Sequence, residues 1–377
     1  MAFEDTPIPV TLLTGFLGSG KTTLLNHLIR DPEAGRVAVI MNEFGDVGLD
    51  HDLIEEATEE TILMQSGCLC CTIRGDLLKT LGKLVARRNR GDLDFDRVVI
   101  ETTGIADPGP ILHSLIVDGI VGPYFRMDGV VTLADAATGP RTLDTQFEAV
   151  HQVAMADVLI LSKTDLVNAQ QLAQFETRLG GINSTARRVR AAHGRVPAGT
   201  LFGLSAMREG VTSSQVSNWL GMAETQPDPL AGLSGFAAKR VEAAPLPMAG
   251  PSAHGSLDHR ISSASIEVEQ PISSSVFDFW LDTLIALKGP DILRIKGIVH
   301  VEGMEWPFVF HGVQHIFDAP VPFKSWSGDD TTSRVVVIAR DTDEADLKAN
   351  LETLRMQPQE VEAQVDGMMH QTTEMPF

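Results

Sequence analysis

Short apolar runs alternate with helical stretches between Val10 and Ser205. Most of these runs are continuously apolar rather than alternating, which is typical of parallel strands covered on both faces. Between two of them, leucine and valine recur at helical spacing from Leu77 to Val85. The pattern predicts a doubly wound, mostly parallel α/β sheet. The predicted strands are VTLLT (10–14), VAVIM (37–41), ILM (62–64), RVVIE (97–101), GVVTLAD (129–135), VLILS (158–162) and TLFGLS (200–205).

The composition changes between Glu242 and His259, where proline, glycine, alanine and serine dominate. Such a segment is typical of an interdomain linker. The region that follows predicts strands at SASIEVE (263–269), RIKGIVHVEG (294–303) and RVVVIAR (334–340), and a helix at VFDFWLDTLIALK (276–288). These elements indicate a smaller α+β domain.

A last short helix is predicted from Leu347, Leu351 and Leu354, which mark one helical face after the cap candidates Asp341 and Thr342. The elements together predict four segments along the chain. They are a doubly wound α/β domain at 1–235, a flexible linker at 236–260, an α+β domain at 261–357 and a disordered tail at 358–377.

The segment from Gly15 to Thr22, GFLGSGKT, matches the phosphate-binding pattern GxxxxGK[ST]. It follows a predicted strand and opens the helix TLLNHLIR (23–30), which is the context that the motif requires, so the domain at 1–235 is predicted to be a P-loop NTPase. Glycines let backbone N–H groups converge on phosphates at the positive end of that helix. We expect Lys21 to reach the β- and γ-phosphates and Thr22 to bind Mg²⁺. The expected phosphate-site residues are Gly15, Gly18, Ser19, Gly20, Lys21, Thr22 and Thr23.

The sequence SKTD (162–165) indicates which nucleotide base is bound. It follows a predicted strand, as the guanine-binding [N]KxD element of GTPases does. Asp165 can accept the N1–H and the 2-amino hydrogens of guanine, whereas adenine presents neither donor to it. The stem of Lys163 can cover the purine face, and Ser205 begins a loop placed to back guanine O6. Asparagine is usual where this chain has Ser162, so an ATP-binding enzyme stays open as an alternative.

A second carboxylate candidate, Glu101, ends a predicted buried strand. P-loop enzymes place there the acid that holds Mg²⁺ through water, which makes Glu101 a catalytic candidate with Lys21 and Thr22. Gly104, three residues later, is the candidate contact to the γ-phosphate. A helix cap or a surface charge is the alternative role for Glu101.

All three cysteines of the chain lie within four positions, at Cys68, Cys70 and Cys71. So close a cluster cannot join distant segments by disulfides, but it can supply thiolates to one metal ion. Thiolates favour Zn²⁺ and other thiophilic ions over Mg²⁺. The segment is expected between the strand ILM and a helix starting near Ile73, at the edge of the sheet that carries the P-loop. Structural or redox cysteines are the alternatives.

The net charge of the chain argues against some classes of binding partner. The chain has 377 residues, with 50 acidic and 30 basic side chains and a formal net charge of −20. That field repels nucleic acid and anionic lipid, so neither is an expected partner. No apolar run approaches the length of a membrane span, and the N-terminus has no secretory signal pattern, so a cytoplasmic location is expected.

Several segments together resemble the CobW family of GTPases, relatives of the nickel-insertion GTPases of urease and hydrogenase maturation. They are GFLGSGKTT (15–23), NEFGDVGLD (42–50), GCLCCTIR (67–74), ETTGIADP (101–108) and SKTD (162–165), with RIKGIVHVEG (294–303) and FHGVQHIFDAP (310–320) in the second domain. The resemblance covers nearly the whole chain. It implies metal-dependent GTP hydrolysis and delivery of zinc, or else cobalt, to a client metalloprotein.

The resemblance also places Glu43, Asp46 and Asp50 in the first switch, where Glu43 and Asp50 are expected to join the cysteines and Thr22 as metal ligands. The expected mechanism is a metallochaperone that GTP hydrolysis gates, with a homodimer left open. An activator scaffold with structural zinc is the alternative. Some members carry a histidine-rich linker, but this chain has only His254 and His259 there. The roles of His311 and His315 stay open.

Overall fold

The structure is a computed structural model that describes residues 7–42, 62–63, 69–73, 77–119, 121–208, 210–221, 257–326 and 330–361. For residues 42, 62–63 and 69–73 it describes the backbone only. The predicted linker lies outside the described residues as far as residue 256, and the predicted tail does so from residue 362. The division of the chain into domains therefore stays a prediction.

The first sheet has eight strands, and its order confirms the doubly wound prediction. Seven strands run parallel, in the order β4-β2-β5-β1-β6-β7-β8, and β3 pairs antiparallel with β4 at one edge. The strands are β1 (Ile8–Gly15), β2 (Val37–Asn42), β3 (Ile62–Leu63), β4 (Leu69–Ile73), β5 (Arg97–Thr102), β6 (Phe125–Asp135), β7 (Val158–Ser162) and β8 (Arg187–Arg190).

Helices cover both faces of this sheet because its central strands are apolar on both sides. Leu12 and Ile100 pack with α2, α3, α5 and α6 on one face, whereas Leu13 and Val131 pack with α1 on the other. None of the helices in the described part combines the length and the apolarity that a bilayer crossing needs. The helices are α1 (Lys21–Leu28), α2 (Leu77–Asn89), α3 (Gly109–Val117), α4 (Gly139–Thr145), α5 (Phe147–Ala154), α6 (Ala169–Ile182) and α7 (Ser213–Trp219).

The strand predicted at 200–205 is wrong. Ala198–Thr200 forms a 3₁₀ turn, and Gly203 has a left-handed φ of 66° while its N–H donates to Asp128 Oδ2 at 2.8 Å. The outer strand is Arg187–Arg190 instead. No apolar run marks this strand because it lies at the sheet edge, where three of its four side chains are exposed.

The second sheet is antiparallel, in the order β12-β11-β10-β14-β9, and β13 pairs with β11. The helices α8 and α9 pack on one of its faces around the buried Trp280. The predicted strands and both helices are present, but β11 to β13 lie in a stretch for which no strand was predicted. The elements are β9 (Ile261–Val268), α8 (Ser274–Lys288), β10 (Ile292–Val299), β11 (Phe308–Val313), β12 (Ile316–Phe317), β13 (Val321–Pro322), β14 (Ser333–Arg340) and α9 (Glu344–Glu352).

A buried ion cluster joins the two sheets. Asp157, just before β7, lies 2.5 Å from Arg294 Nη2 and 2.8 Å from Lys296 Nζ, both on β10. All three side chains are at most 5% exposed. Burial alone would raise the pKa of Asp157, but the two cations hold it far below its usual range. The carboxylate is therefore ionised, and the second sheet is fixed to the first through it.

We expect Asp157→Asn to lower the free energy of unfolding by roughly 3–5 kcal/mol, because two buried cations lose their counter-charge. Urea unfolding at neutral pH measures this loss. Asp341→Asn is the matched control, since Asp341 pairs with Arg260 on the surface. A loss no larger than that of the control would contradict the assignment.

The same carboxylate predicts a pH dependence. Because the native pKa of Asp157 lies below its ordinary value of 3.8, its stabilising contribution is complete above that pH and is lost as the pH falls further. The Asn variant should therefore lose less stability on acidification than the wild type does.

Candidate functional site

The P-loop connects β1 to α1 in the conformation that its glycines allow. Gly15, Gly18 and Gly20 have φ values of 140°, 73° and 99°. At Gly15 a Cβ atom would lie 2.6 Å from the carbonyl oxygen of Leu133 on β6, so a side chain is excluded there. The loop thus lies flat against the carboxyl end of the sheet.

The three predicted catalytic side chains meet at this loop. Lys21 Nζ donates to Gly15 O at 2.7 Å and to Phe16 O at 3.3 Å. Thr22 Oγ1 donates to Glu101 Oε1 at 3.3 Å. The strand register explains the meeting, since Glu101 on β5 is paired with Leu13 on β1. Lys21 and Glu101 are both at least nine-tenths buried.

This donor set fits Mg²⁺. A hydroxyl and a carboxylate at the carboxyl edge of the sheet are hard oxygen ligands, which Mg²⁺ prefers. Thr22 and Glu101 would hold the ion, directly or through water. Their placement beside Lys21 and the loop makes the cluster suited to a nucleoside triphosphate.

Gly104 lies directly against the P-loop. A Cβ atom there would come within 2.6 Å of Leu17 N, so only glycine fits. Gln152 Nε2 on α5 donates to Gly104 O at 3.2 Å and to Ala106 O at 3.0 Å. The sequence analysis did not single out Gln152, because it lies inside an ordinary amphipathic helix.

Ser162, the residue that departs from the usual asparagine, contacts the P-loop. Its Oγ donates to Ser19 O at 2.7 Å in a buried hydrogen bond. The serine thus braces the loop backbone from the end of β7. Ser19 Oγ itself is buried with no hydrogen-bond partner among the described residues.

Lys163 and Asp165 lie side by side but differ in their contacts. Lys163 adopts a left-handed φ of 53°, and its Nζ contacts Asp135 Oδ2 at 2.7 Å. Burial would raise the pKa of Asp135, but hydrogen bonds from Lys163 and Thr138 hold it below its ordinary value. Asp165 is exposed in a 3₁₀ turn, where its carboxylate is available to a base. Asp135 was not predicted, although it ends the run GVVTLAD.

Ser205 follows the bend that replaces the expected strand. Its Oγ accepts from Met207 N at 3.0 Å, and Ala206 beside it is buried. The loop is therefore fixed locally. Its role in holding guanine O6 stays a prediction, as does the phosphate role of Thr23.

The cysteine segment differs from the prediction. Leu69–Ile73 forms strand β4, so no helix starts at Ile73, and the described helix α2 runs from Leu77. Cys70 pairs with Val39 and Cys71 with Ile40 on β2, one strand further from the P-loop than β5. Through Ile40, Cys71 is aligned with Ile100, the residue before Glu101 on β5. Two strand spacings separate β4 from β5, which is about 10 Å.

Part of the predicted metal set lies outside the described residues, namely Cys68, Glu43 and Asp50, as does Asp46 of the predicted first switch. Glu43 directly follows the last residue of β2 in the chain. Among the side chains that the structure does describe, no group of three metal-ligating residues occurs. The thiolate metal site stays a prediction.

The histidines of the second domain are separated by the fold. His311 is buried on β11, its Nδ1 lies 3.3 Å from Asp318 Oδ2, and burial lowers its pKa although Asp318 opposes this. His315 is exposed and lies 6.1 Å, centroid to centroid, from the ring of His113 on α3. His259 belongs to the 3₁₀ turn before β9, and His254 lies outside the described residues. A helical i, i+4 histidine pair is not formed.

Comparison with known proteins gives a family match over both sheets. Residues 9–190 match the nucleotide-binding domain described as CobW/HypB/UreG, and residues 261–355 match the Cobalamin synthesis protein cobW C-terminal domain. The two matches cover the strands of both sheets.

Individual relatives agree with this. The chain is 31% identical over 351 residues to the Zinc chaperone YjiA of Escherichia coli (strain K12), covering 93% of this chain and 99% of that protein. It is 39% identical over 197 residues to the Zinc-regulated GTPase metalloprotein activator 1 of Schizosaccharomyces pombe, across 50% of this chain and 47% of that protein. The crystal structure of Zn(II)-bound YjiA GTPase from E. coli superposes with a TM-score of 0.68 at 28% identity, covering 93% of this chain and 100% of that chain.

We expect Ser162→Ala to weaken GDP binding by roughly 1 kcal/mol, or roughly fivefold in Kd, because Ser19 O loses a buried donor. Fluorescent-GDP titration measures this. Ser162→Asn should retain binding, since its amide also donates. Ser114→Ala, which removes a similar hydroxyl on α3, is the control. Unchanged affinity in Ser162→Ala would show that the brace is not needed.

Proposed function

This chain is a GTPase of the CobW/HypB/UreG family, and we propose that it acts as a metallochaperone that carries zinc to a client metalloprotein. GTP hydrolysis gates the release of the ion in this proposal. The relatives named zinc chaperones, which match over nearly their whole length, support zinc as the cargo, with cobalt as the second choice. The proposed site of action is the cytoplasm.

The observation that carries the hydrolytic part is the contact between Thr22 and Glu101 beside Lys21. A hydroxyl and a carboxylate at this position suit Mg²⁺, which when bound would neutralise charge on the β- and γ-phosphates. The P-loop N–H groups and Lys21 bind and orient those phosphates. In this proposal the N–H of Gly104, which lies against the loop at Leu17, binds the γ-phosphate. Water attack breaks the bond between the γ-phosphorus and the bridging oxygen and yields GDP and phosphate.

The gating part is supported by the sheet order. The cysteine strand β4 pairs with β2, and β2 pairs with β5, which carries Glu101. In the sequence, Glu43 is the next residue after the end of β2. A ligand set drawn from Cys68, Cys70, Cys71, Glu43 and Asp50 would therefore share its supporting strands with the nucleotide site. Loss of the γ-phosphate would loosen the segment after β2 and release the ion.

The choice of guanine is proposed from Asp165. Its exposed carboxylate would accept both guanine donors, and we expect Asp165→Asn to raise the Kd for GTP at least tenfold, because a charged hydrogen bond is lost. Competition of GTP and ATP for a fluorescent guanine nucleotide measures the preference. Asp282→Asn, at an exposed position of α8, is the control. ATP binding equal to GTP binding in the wild type would favour the ATP-using alternative.

Zinc and GTP should bind with mutual enhancement. We expect a Zn²⁺ affinity at least fivefold higher with Mg²⁺ and a non-hydrolysable GTP analogue than with GDP, since both ligands stabilise one arrangement of β2 and β5. Zinc titrations in metal-buffered solution measure this. Cys70→Ala should remove the enhancement and leave the protein folded and able to bind GTP. Equal zinc affinity in both nucleotide states would rule out gating, and an unfolded Cys70→Ala would favour structural zinc.

A further inference from the structure

Gln152 is the one α5 side chain that contacts the segment after Glu101 through two backbone carbonyls. It is 1% exposed, and both of its amide hydrogens are used on Gly104 O and Ala106 O. The backbone carbonyl oxygen of Gln152 accepts a hydrogen bond from Thr132 Oγ1 on β6 at 2.9 Å. The glutamine is therefore held at its backbone and holds the segment with its side chain.

The segment it holds borders the P-loop. Gly104 has no room for a Cβ atom beside Leu17. A movement of Gly104 towards the P-loop would therefore push Leu17, and a movement away from it would break the hydrogen bonds from Gln152. Buried amide–carbonyl hydrogen bonds are costly to leave unmade. The position of Gly104 and the position of α5 are thus tied together.

A second contact reinforces the first. His151, the neighbour of Gln152 on α5, lies 3.4 Å from Asp107, whose carboxylate also accepts from Gly109 N at 2.8 Å. The same short helix therefore touches the segment at its start and at its end, where α3 begins.

The end of α5 that carries Gln152 also leads into the ion cluster between the sheets. Met155 O, the first carbonyl after the helix, accepts from Arg294. Two residues later Asp157 binds both Arg294 and Lys296, and its second oxygen accepts from Val130 N at 2.8 Å. At the start of the helix, the ring of Phe147 lies 4.0 Å from the guanidinium of Arg260, which precedes β9.

We propose that Gln152 is a positioning residue that sets Gly104 against the P-loop, and that α5 carries this position to the second sheet through Asp157, Arg294 and Lys296. The element is the last turn of α5 with the three residues after it, whose buried polar contacts join Gly104 and Ala106 to β10, which is a physical connection rather than mere proximity. The inference rests on the proposed GTP hydrolysis and not on zinc carriage. Through this connection, nucleotide binding would change the stability of the C-terminal sheet. By reciprocity, a change in that sheet would alter nucleotide affinity.

Gln152→Met tests the near end, because it keeps the volume and removes the donors. We expect kcat for GTP hydrolysis to fall on the order of tenfold, with GDP affinity within about threefold of the wild type, since GDP has no γ-phosphate to position. Hydrogen exchange of the β10 peptides should slow in the wild type when a GTP analogue replaces GDP, and this difference should vanish in the variant. Gln174→Met, the same change at an exposed position of α6, is the control for both readouts.

Lys296→Gln tests the far end and does not depend on the folding of the Gln152 variant. We expect it to change the affinity for the GTP analogue at least threefold, whereas Lys288→Gln at the end of α8 does not. In the double variant with Gln152→Met, the change in affinity for the GTP analogue should stay near that of the more affected single variant. Both substitutions interrupt the same connection, so their effects should not add.

Three results would overturn the inference. They are wild-type hydrolysis in Gln152→Met, a nucleotide-dependent β10 exchange difference that survives in that variant, and single losses that multiply in the double variant. A wild type that does not hydrolyse GTP would instead refute the proposed function, so the two failures are distinguishable.

Discussion

The pairing of β5 between β1 and β2 is the constraint on which the site depends. Because Glu101 is in register with Leu13 on one side and Met41 on the other, its carboxylate emerges beside the P-loop and beside the end of β2. The contact of Glu101 with Thr22 follows from that register. The approach of Gly104, three residues after Glu101, to Leu17 also follows from that register. A slip of one residue would turn Glu101 to the opposite face of the sheet and dismantle the site.

The second constraint is the burial of Asp157 between the sheets. An ionised carboxylate at this depth is stable only with both cations of β10, so the C-terminal sheet cannot leave without a large cost. Since α5 ends next to this cluster and contacts the segment after Glu101 through Gln152 in its last turn, the two constraints meet in one helix. The C-terminal sheet is thus placed to take part in the nucleotide cycle rather than only to extend the chain.

The sequence allowed the fold class and the apolar strands to be predicted, because short β-branched runs such as VLILS between turn signals are typical of covered strands. It could not reveal β8, whose arginines lie at an exposed edge, or β4, whose cysteines were interpreted as a loop of ligands. Ser162 was taken as a departure from the guanine motif, yet its short hydroxyl reaches Ser19 O. Gln152 carries no local signal at all, since its partners Gly104 and Ala106 lie more than forty positions earlier and only the fold brings them together.

The central claim is that hydrolysis at the β1–β5 edge releases an ion held next to β2. A single-turnover experiment with zinc-loaded protein, one equivalent of GTP and a zinc indicator tests it most directly, with phosphate release followed in parallel. The account predicts that zinc appears at the rate of hydrolysis, and that a non-hydrolysable analogue or the hydrolysis-impaired Gln152→Met variant retains it. Zinc release that is equally fast with the analogue, or that does not follow hydrolysis, would contradict the account.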